Sequence, residues 1–337
     1  MVANISEKDG RLEAMTAMIP AWWDSKKEYV LDHFPHSGEI WGEGGVLHNV
    51  EYEKRPIFDE EGQEIPGYKR SVRVDTGETI SAGMTDRWQI VQPRQAFDWL
   101  DGLVQDGIMR YTSAGVLDGG KKVWILANIP GVAENPVDSH RPYILWADDF
   151  TGKGSLFAYP CMTRVVCENT LSMAMRERDK STFRGIRHTG VMEDKLASVF
   201  ETIAESQAAF AAYNADSARL ASVEFTMDDA RAYVDHLFPV PLDENGKPKE
   251  KASATIRERK MQAVRDGLVF ERRNAPDTAT SWWGLVNAVT HAVDHGNLLT
   301  FKGQDDKKTG NAFKSRMFGT GAQIKANAID TAMAMIG

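Results

Sequence analysis

Two kinds of hydrophobic pattern divide the chain into a first and a second half. In the first half, short runs alternate apolar and polar residues over 39–57 and 68–92. Such alternation places one face of a strand against a core and the other in solvent. The turn residues Asp75-Thr76-Gly77 separate a strand that ends near Val74 from one that begins near Ile80. This pattern predicts an antiparallel hairpin.

A helix and two further hairpins are predicted after this one. Pro93 opens a segment with apolar residues at helical spacing on one face, namely Ala96, Phe97, Leu100, Leu103 and Val104. One hairpin is predicted from 109–117 and 122–129 around Asp118-Gly119-Gly120, and another from 143–147 and 155–160 around the turn 148–154.

The second half is predicted to be helical. Apolar residues recur at helical spacing in six segments, 163–178, 191–220, 227–237, 253–269, 281–295 and 312–335. We therefore expect an α+β fold, in which an antiparallel β-sheet with an inserted helix in the first half packs against a helical second half. The expected divisions are an N-terminal acidic helical segment at 1–38, a β-rich core at 39–190 and a helical region at 191–337.

Charge is unevenly distributed along the chain. The net charge of -8 argues against a protein that coats DNA with its whole surface. Residues 1–70 nevertheless hold 14 acidic and 8 basic residues, whereas 161–190 hold 3 acidic and 6 basic ones. The segment 251–273 has 7 basic and 3 acidic residues. The two basic segments are compatible with anion binding. Mixed ion pairs on solvated helix faces would explain their composition equally well.

Composition places few other limits on function. The chain has 337 residues, 42% of them hydrophobic, which is typical of a globular protein with a sizeable core. No run of about 18 apolar residues and no signal-peptide pattern occurs, so we expect a cytoplasmic protein with no membrane partner. The two cysteines, Cys161 and Cys167, are too few for a disulfide framework or a four-cysteine zinc site.

Four blocks in a fixed order resemble a known family. They are 85–92 (TDRWQIVQ), 164–171 (RVVCENTL), 186–189 (IRHT) and 287–290 (NAVT). Together they are similar to the phage/plasmid-like protein family, a domain of unknown function numbered nine-three-two, over roughly 40–335. The resemblance implies a protein carried by phages, prophages and plasmids, and it brings no established catalytic residues. Glu168 departs from the smaller residue expected there, and the acidic N-terminal section does not align.

The basic segment and a preceding tryptophan form the predicted nucleic-acid contact. Arginine forks bind phosphates, and aromatic rings on an exposed sheet face stack on single-stranded bases. The alternatives are that Asn169 bonds to nearby backbone, that the arginines pair with Glu177 and Asp179, and that Trp88, Trp124 and Trp146 belong to the core. The predicted contact residues are Arg87, Trp88, Arg164, Asn169, Arg176, Arg178, Lys180, Arg184, Arg187 and His188.

Catalytic and metal motifs are incomplete. His291 and His295 lie at i and i+4, a spacing found in zinc sites, but Ala292 stands where a metalloprotease has Glu, and no third ligand is evident. Asp148, Asp149 and Lys153 fall in a predicted surface turn and lack the strand-borne spacing of nucleases. No phosphate-binding loop, dinucleotide fingerprint or nucleophile elbow is present. We therefore expect no cofactor, no bound metal and no enzymatic activity.

Three classes of function remain after these exclusions. The first is binding of single-stranded DNA or RNA in phage or plasmid recombination or replication, for example as a strand-annealing homo-oligomer that works with a host or phage replication or recombination protein. The second is binding of a host factor, in which the acidic first 70 residues either mimic nucleic acid or contact a basic partner. The third is a metal-dependent hydrolase that uses the Asp and His residues named above. The first is the preferred hypothesis.

Overall fold

A computed structural model gives the fold. It describes residues 6–8, 11–18, 30–130, 135–138, 140–152, 154–164, 170–172, 188, 199–239, 243–245, 250–296, 298–299, 315–316 and 319–337. The chain divides into two compact units, each made of several segments. Unit 1 comprises Met1–Ala133, Pro142–Pro160 and Asp179–Gln207, and unit 2 comprises Glu134–Arg141, Cys161–Arg178 and Ala208–Gly337.

The strands and helices are numbered in chain order. The strands are β1 (Glu7–Lys8), β2 (Arg11–Leu12), β3 (Ala14–Ala17), β4 (Val30–Leu31), β5 (Tyr52–Phe58), β6 (Glu64–Arg73), β7 (Thr79–Thr85), β8 (Arg110–Leu117), β9 (Lys122–Asn128), β10 (His140–Asp149), β11 (Phe157–Arg164) and β12 (Thr170–Ser172). The helices are α1 (Ser37–Trp41), α2 (Pro93–Gln105), α3 (Val199–Ala221), α4 (Met227–Leu237), α5 (Glu250–Asn274), α6 (Trp282–Asp294) and α7 (Thr320–Ile336).

The larger sheet of unit 1 has the strand order β11-β10-β9-β8-β3-β4. Strands β8, β9 and β10 form antiparallel pairs, as their alternation predicts. Asp118, Gly119 and Gly120 in the β8–β9 turn all have positive φ, which the two glycines adopt without strain. The rings of Tyr111 and Trp124 are buried in this sheet, so the alternation that marks the strands also builds the core.

A smaller antiparallel sheet of unit 1 has the order β5-β6-β7. The predicted hairpin around Asp75 is confirmed, because β6 ends at Arg73 and β7 begins at Thr79. The pairing of β6 with β7 shifts register between Lys69 and Arg70, next to Gly83, whose φ is 86°. Glycine relieves the strain of such a bulge, and a bulge increases the local twist of the sheet.

Unit 2 is mainly helical, and the predicted helices 227–237, 253–269 and 281–295 are confirmed with small changes of bounds. Ser281 caps α6, because its side chain accepts a hydrogen bond from the Gly284 amide. A β-carbon at Gly267 of α5 would lie 2.3 Å from the Ala288 carbonyl oxygen, so glycine permits close packing of α5 on α6. No helix in the described part of the chain is long and apolar enough to cross a bilayer.

Three sequence-based expectations are wrong. The helix at 163–178 is replaced, where the chain is described, by the end of β11 and by β12, which pair through Cys161 and Ser172. Within 1–38 the described residues form short strands up to Leu31, and only the first two residues of α1 are helical; β3 is buried along its length and pairs with a strand on each side. Asp148 and Asp149 end the buried strand β10 instead of lying in a surface turn. Apolar spacing and charge alone do not show these pairings.

Candidate nucleic-acid interface

Two arginines and a tyrosine share one face of the smaller sheet. Arg55 on β5 lies directly opposite Arg70 on β6, and cross-strand partners point to the same side. Tyr68, two residues before Arg70 on the same strand, also points to that side. The Tyr68 ring is 49% exposed and the Arg55 side chain 42%. We call Arg55, Tyr68 and Arg70 the arginine–tyrosine face.

The arginine–tyrosine face is electrostatically suited to an anion. Like charges directly opposite each other on neighbouring strands repel. Arg55 forms an ion pair with Glu53, two residues earlier on the same strand. Arg70 Nη1 donates to the Thr79 hydroxyl at 3.1 Å, and its buried Nε has no hydrogen-bond partner among the described residues. A phosphate beside the two guanidinium groups would relieve the repulsion.

An acidic turn limits where an anion would bind on this sheet. Asp59, Glu60 and Glu61 lie in the exposed turn that joins β5 to β6. Their charges would repel a phosphate backbone at that end of the hairpin. A phosphate would therefore meet less repulsion at the end that carries Arg55 and Arg70.

Buried ionic contacts fix the smaller sheet from within unit 1. The Arg73 guanidinium, at the end of β6, forms a buried bidentate pair with Glu13 and a second pair with Asp75. The Tyr52 hydroxyl donates to the Gly120 carbonyl at 2.6 Å, and the Tyr52 ring stacks on Phe150 with centroids 3.7 Å apart. These contacts hold one end of the sheet rigid, which is the condition for a preorganised binding face.

A turn directly after β7 contains one predicted contact residue, Arg87. Thr85, the last residue of β7, is the register partner of Tyr68. The Trp88 amide donates to the Thr85 carbonyl at 3.1 Å, so Asp86 and Arg87 occupy the centre of a turn. Arg87 is exposed there, as a phosphate contact requires.

His188 is fastened to the residues that follow this turn. Its Nε2 lies 2.7 Å from Asp148 Oδ1, and its Nδ1 lies 3.0 Å from the Gln89 carbonyl oxygen. The Gln89 amide in turn donates to the His188 carbonyl at 2.6 Å. The Trp88 ring stacks on the imidazole with centroids 4.9 Å apart. His188 therefore joins residues that are far apart in sequence.

The hydrogen-bond pattern favours an imidazolium–carboxylate pair. The Gln89 carbonyl can only accept, so Nδ1 carries a proton. Asp148 Oδ1 also accepts from the Asp149 amide at 2.7 Å, and a carboxylate oxygen is the natural acceptor for that amide and for a protonated Nε2. Burial lowers the pKa of His188, but the hydrogen bond and charge of Asp148 more than offset this and raise the pKa above its usual 6.5. Complete burial raises the pKa of Asp148, while His188 opposes that shift.

Two of the other predicted contact residues, Trp88 and His188, are buried. Trp88 is 6% exposed and His188 1%, so neither ring is available to stack on a base. Trp124 and Trp146 are core residues, which is the alternative that the sequence left open. For Arg164 only the backbone is described, as part of β11. The remaining predicted residues, Asn169, Arg176, Arg178, Lys180, Arg184 and Arg187, lie outside the described residues.

Sequence reasoning missed Arg55, Tyr68 and Arg70. The alternation of Tyr68 and Arg70 along one predicted strand was a usable signal for a shared face. The opposition of Arg55 and Arg70 depends on the pairing register, which a single sequence does not show.

Buried polar networks organise unit 2. The Asp138 carboxylate accepts from Trp283 Nε1 at 3.1 Å and from Asn287 Nδ2 at 2.9 Å. Lys325 Nζ lies 2.9 Å from both carboxylate oxygens of Asp294, and both residues are buried. Such fully bonded buried groups fix helix positions. Asn287, from one of the four sequence blocks, is therefore a structural residue of α6.

The histidines at the end of α6 pack as aromatic rings. His291 stacks on Phe270 with centroids 4.1 Å apart, and its ring centroid lies 4.9 Å from that of His295. Across the part of the chain that the structure describes, no group of three or more His, Cys, Asp or Glu side chains is arranged to hold a metal ion.

Comparison with known proteins gives one match. No curated protein and no solved structure matches the chain. A family model described as "Domain of unknown function (DUF932)" matches residues 82–318. The matched range includes Arg87, Asp148 and His188, whereas Arg55, Tyr68 and Arg70 precede it. Since the match spans more than two thirds of the 337 residues, the chain belongs to the DUF932 family.

Proposed function

We propose that this protein binds single-stranded nucleic acid and acts in recombination or replication of a phage or plasmid, with strand annealing as the expected activity. The observation that carries the proposal is the register opposition of Arg55 and Arg70 beside the exposed ring of Tyr68. Arginines that contact phosphates, next to an aromatic ring that stacks on a base, form the usual binding surface for single strands.

The preference for single strands follows from the exposed aromatic ring. In a duplex the bases are stacked on each other, so their faces are not accessible to a side chain. In a single strand every base offers a face, which makes stacking tolerant of sequence. We therefore expect tighter binding of single-stranded than of double-stranded oligonucleotides, with little sequence preference.

A titration of labelled oligonucleotides at two salt concentrations tests the proposal. The wild type should bind single strands, and the combined Arg55→Gln and Arg70→Gln variant should bind more weakly. Its salt dependence should be flatter by about 0.7 in log–log slope for each phosphate that is no longer neutralised. The matched control is Arg231→Gln with Arg257→Gln, which removes two partly exposed arginines of unit 2. No binding by the wild type at low salt would reject the proposal.

A second candidate function is binding of a basic host factor. Exposed Phe58 and Ile65 flank the acidic turn of Asp59, Glu60 and Glu61. Apolar side chains beside a cluster of one charge form a common protein-contact surface. Replacement of the three acids with Asn and Gln should abolish capture of such a partner and leave oligonucleotide binding intact.

A further inference from the structure

His188 and the smaller sheet hold opposite ends of the same turn. On one side, Thr85 pairs with Tyr68, and Lys54 Nζ donates to the Asp86 carbonyl at 3.2 Å. On the other side, the Gln89 backbone exchanges two hydrogen bonds with His188. The exposed residue Arg87 lies between these two attachments.

We infer that His188 is a positioning residue for nucleic-acid binding. Its protonated ring, held by Asp148, fixes the turn of residues 85–88, which begins at Thr85, the register partner of Tyr68, and carries the exposed Arg87. The inference rests on the proposed function, because it assigns the regulation of the same surface. His188 itself is buried and contacts no ligand.

The protonated ring is required by both of its partners. Loss of one ring proton removes either the ring's bond to the Gln89 carbonyl or its bond to Asp148 Oδ1, which then keeps only the Asp149 amide as a donor. Asp148 Oδ2 is buried and has no partner among the described residues, so the carboxylate charge depends on His188. Deprotonation therefore weakens the attachment of the turn and with it the position of Arg87.

The surrounding groups determine the direction of the pH dependence. The charge of Asp149 contributes to the raised pKa of His188, and the Asp149 carboxylate lies 3.3 Å from Lys122 Nζ. The charge of Asp148 contributes to the raised pKa of Tyr52 on β5. Because the pKa of His188 is raised in the folded protein, both hydrogen bonds of its ring are present below pH 6.5, and one of them is lost as the pH rises through the raised value, while the bond from the Gln89 amide to the His188 carbonyl remains. Nucleic-acid binding should fall over the same range.

Oligonucleotide binding measured from about pH 6 to pH 9.5 tests the inference. The wild type should lose affinity several-fold with one midpoint above pH 6.5. Asp148→Asn removes the charge that stabilises the imidazolium and should move that midpoint down. Arg87→Ala should bind more weakly at pH 6 and lose the pH dependence. The inference is overturned if folded Asp148→Asn keeps the wild-type midpoint, or if Arg87→Ala keeps the full pH dependence.

An NMR titration of the wild type gives a result that does not depend on a folded variant or on a ligand. The His188 ring nitrogens and the Gln89 amide should shift with a common midpoint above pH 6.5, since the two residues are hydrogen-bonded. Separate midpoints would overturn the inference. Absence of oligonucleotide binding at every pH would instead reject the proposed function together with its regulation, whereas binding with a pH profile shared by wild type and Asp148→Asn would reject the inference alone.

Discussion

Arg73 and Glu13 form a buried bidentate ion pair between residues 60 positions apart. Arg73 ends β6 of the smaller sheet, and Glu13 directly precedes β3 of the larger one. The pair therefore joins the two sheets of unit 1 through one guanidinium. Asp75 extends this ion-pair network, because it contacts Arg73 and also pairs with Lys8 at 2.7 Å.

Asp75 should make unit 1 sensitive to acid. Burial raises the pKa of Asp75, but hydrogen bonds from Arg73 and Lys8 outweigh burial and hold the pKa below 3.8. Its stabilisation is therefore complete above pH 3.8 and is lost as the pH falls through the lowered value. In urea unfolding, Asp75→Asn should be less stable than wild type at neutral pH, and the difference should shrink towards pH 3. A difference that is constant with pH would contradict this.

Tyr68 should contribute to binding of single strands through its ring. Tyr68→Ala should raise the Kd for a single-stranded oligonucleotide by about 5- to 150-fold, the equivalent of about 1–3 kcal/mol for one stacked base. Tyr68→Phe keeps the ring and should bind nearly as wild type. Fluorescence anisotropy measures both variants, and equal affinity of wild type and Tyr68→Ala would show that no base stacks there.

The basic segment 161–190 should add phosphate contacts. Replacement of Arg184 and Arg187 with Ala should weaken single-strand binding and flatten its salt dependence by about 0.7 for each phosphate that the variant no longer binds. Exposed arginines in weak pairs contribute only about 0–1 kcal/mol to stability, so the melting temperature should change little. A large fall in melting temperature would identify the two arginines as buried structural residues instead.

Removal of Lys325 should destabilise unit 2. Lys325→Met removes the cation that contacts both carboxylate oxygens of buried Asp294, and breaking a buried pair in this way costs about 3–5 kcal/mol. Adding Asp294→Asn removes the carboxylate charge that lost its lysine and should recover part of the loss. Denaturant unfolding of the two variants measures the difference, and a double variant less stable than Lys325→Met would argue against this account.

The purified protein should contain no stoichiometric zinc. His291 and His295 have the spacing of a zinc pair, but no third ligand is evident in the sequence. Elemental analysis checks the expectation. One zinc per chain that is lost in His295→Ala would favour the hydrolase hypothesis over nucleic-acid binding.

Turn residues and a helix-starting proline correctly predicted two hairpins and the start of α2. Asp75-Thr76-Gly77 and Gly119-Gly120 mark hairpin turns because of their backbone preferences, and Pro93 marks the start of α2. The pairing of β11 with β12 was missed, since apolar residues at 163–178 fit a helix equally well. Long-range pairing, not residue preference, decided that segment.

The candidate site was predictable only in part. The basic and aromatic composition indicated nucleic-acid contact, and Arg87 is exposed as expected. His188 and Trp88 were assigned to the surface because charge and aromaticity do not show burial. The burial of His188 depends on Asp148, which lies 40 residues away in sequence. A single sequence does not show that these two residues are in contact in the folded protein.

The order of segments in unit 1 has a consequence for synthesis on the ribosome. Unit 1 includes Asp179–Gln207, so it is incomplete until those residues have been translated. His188 and Gln89 are separated by 99 positions, which take roughly 5–20 s to synthesise at about 5–20 residues per second. During that interval β7 and the turn after it exist without the residue that fastens them. Nascent chains of this protein are therefore expected to need protection from aggregation until His188 emerges.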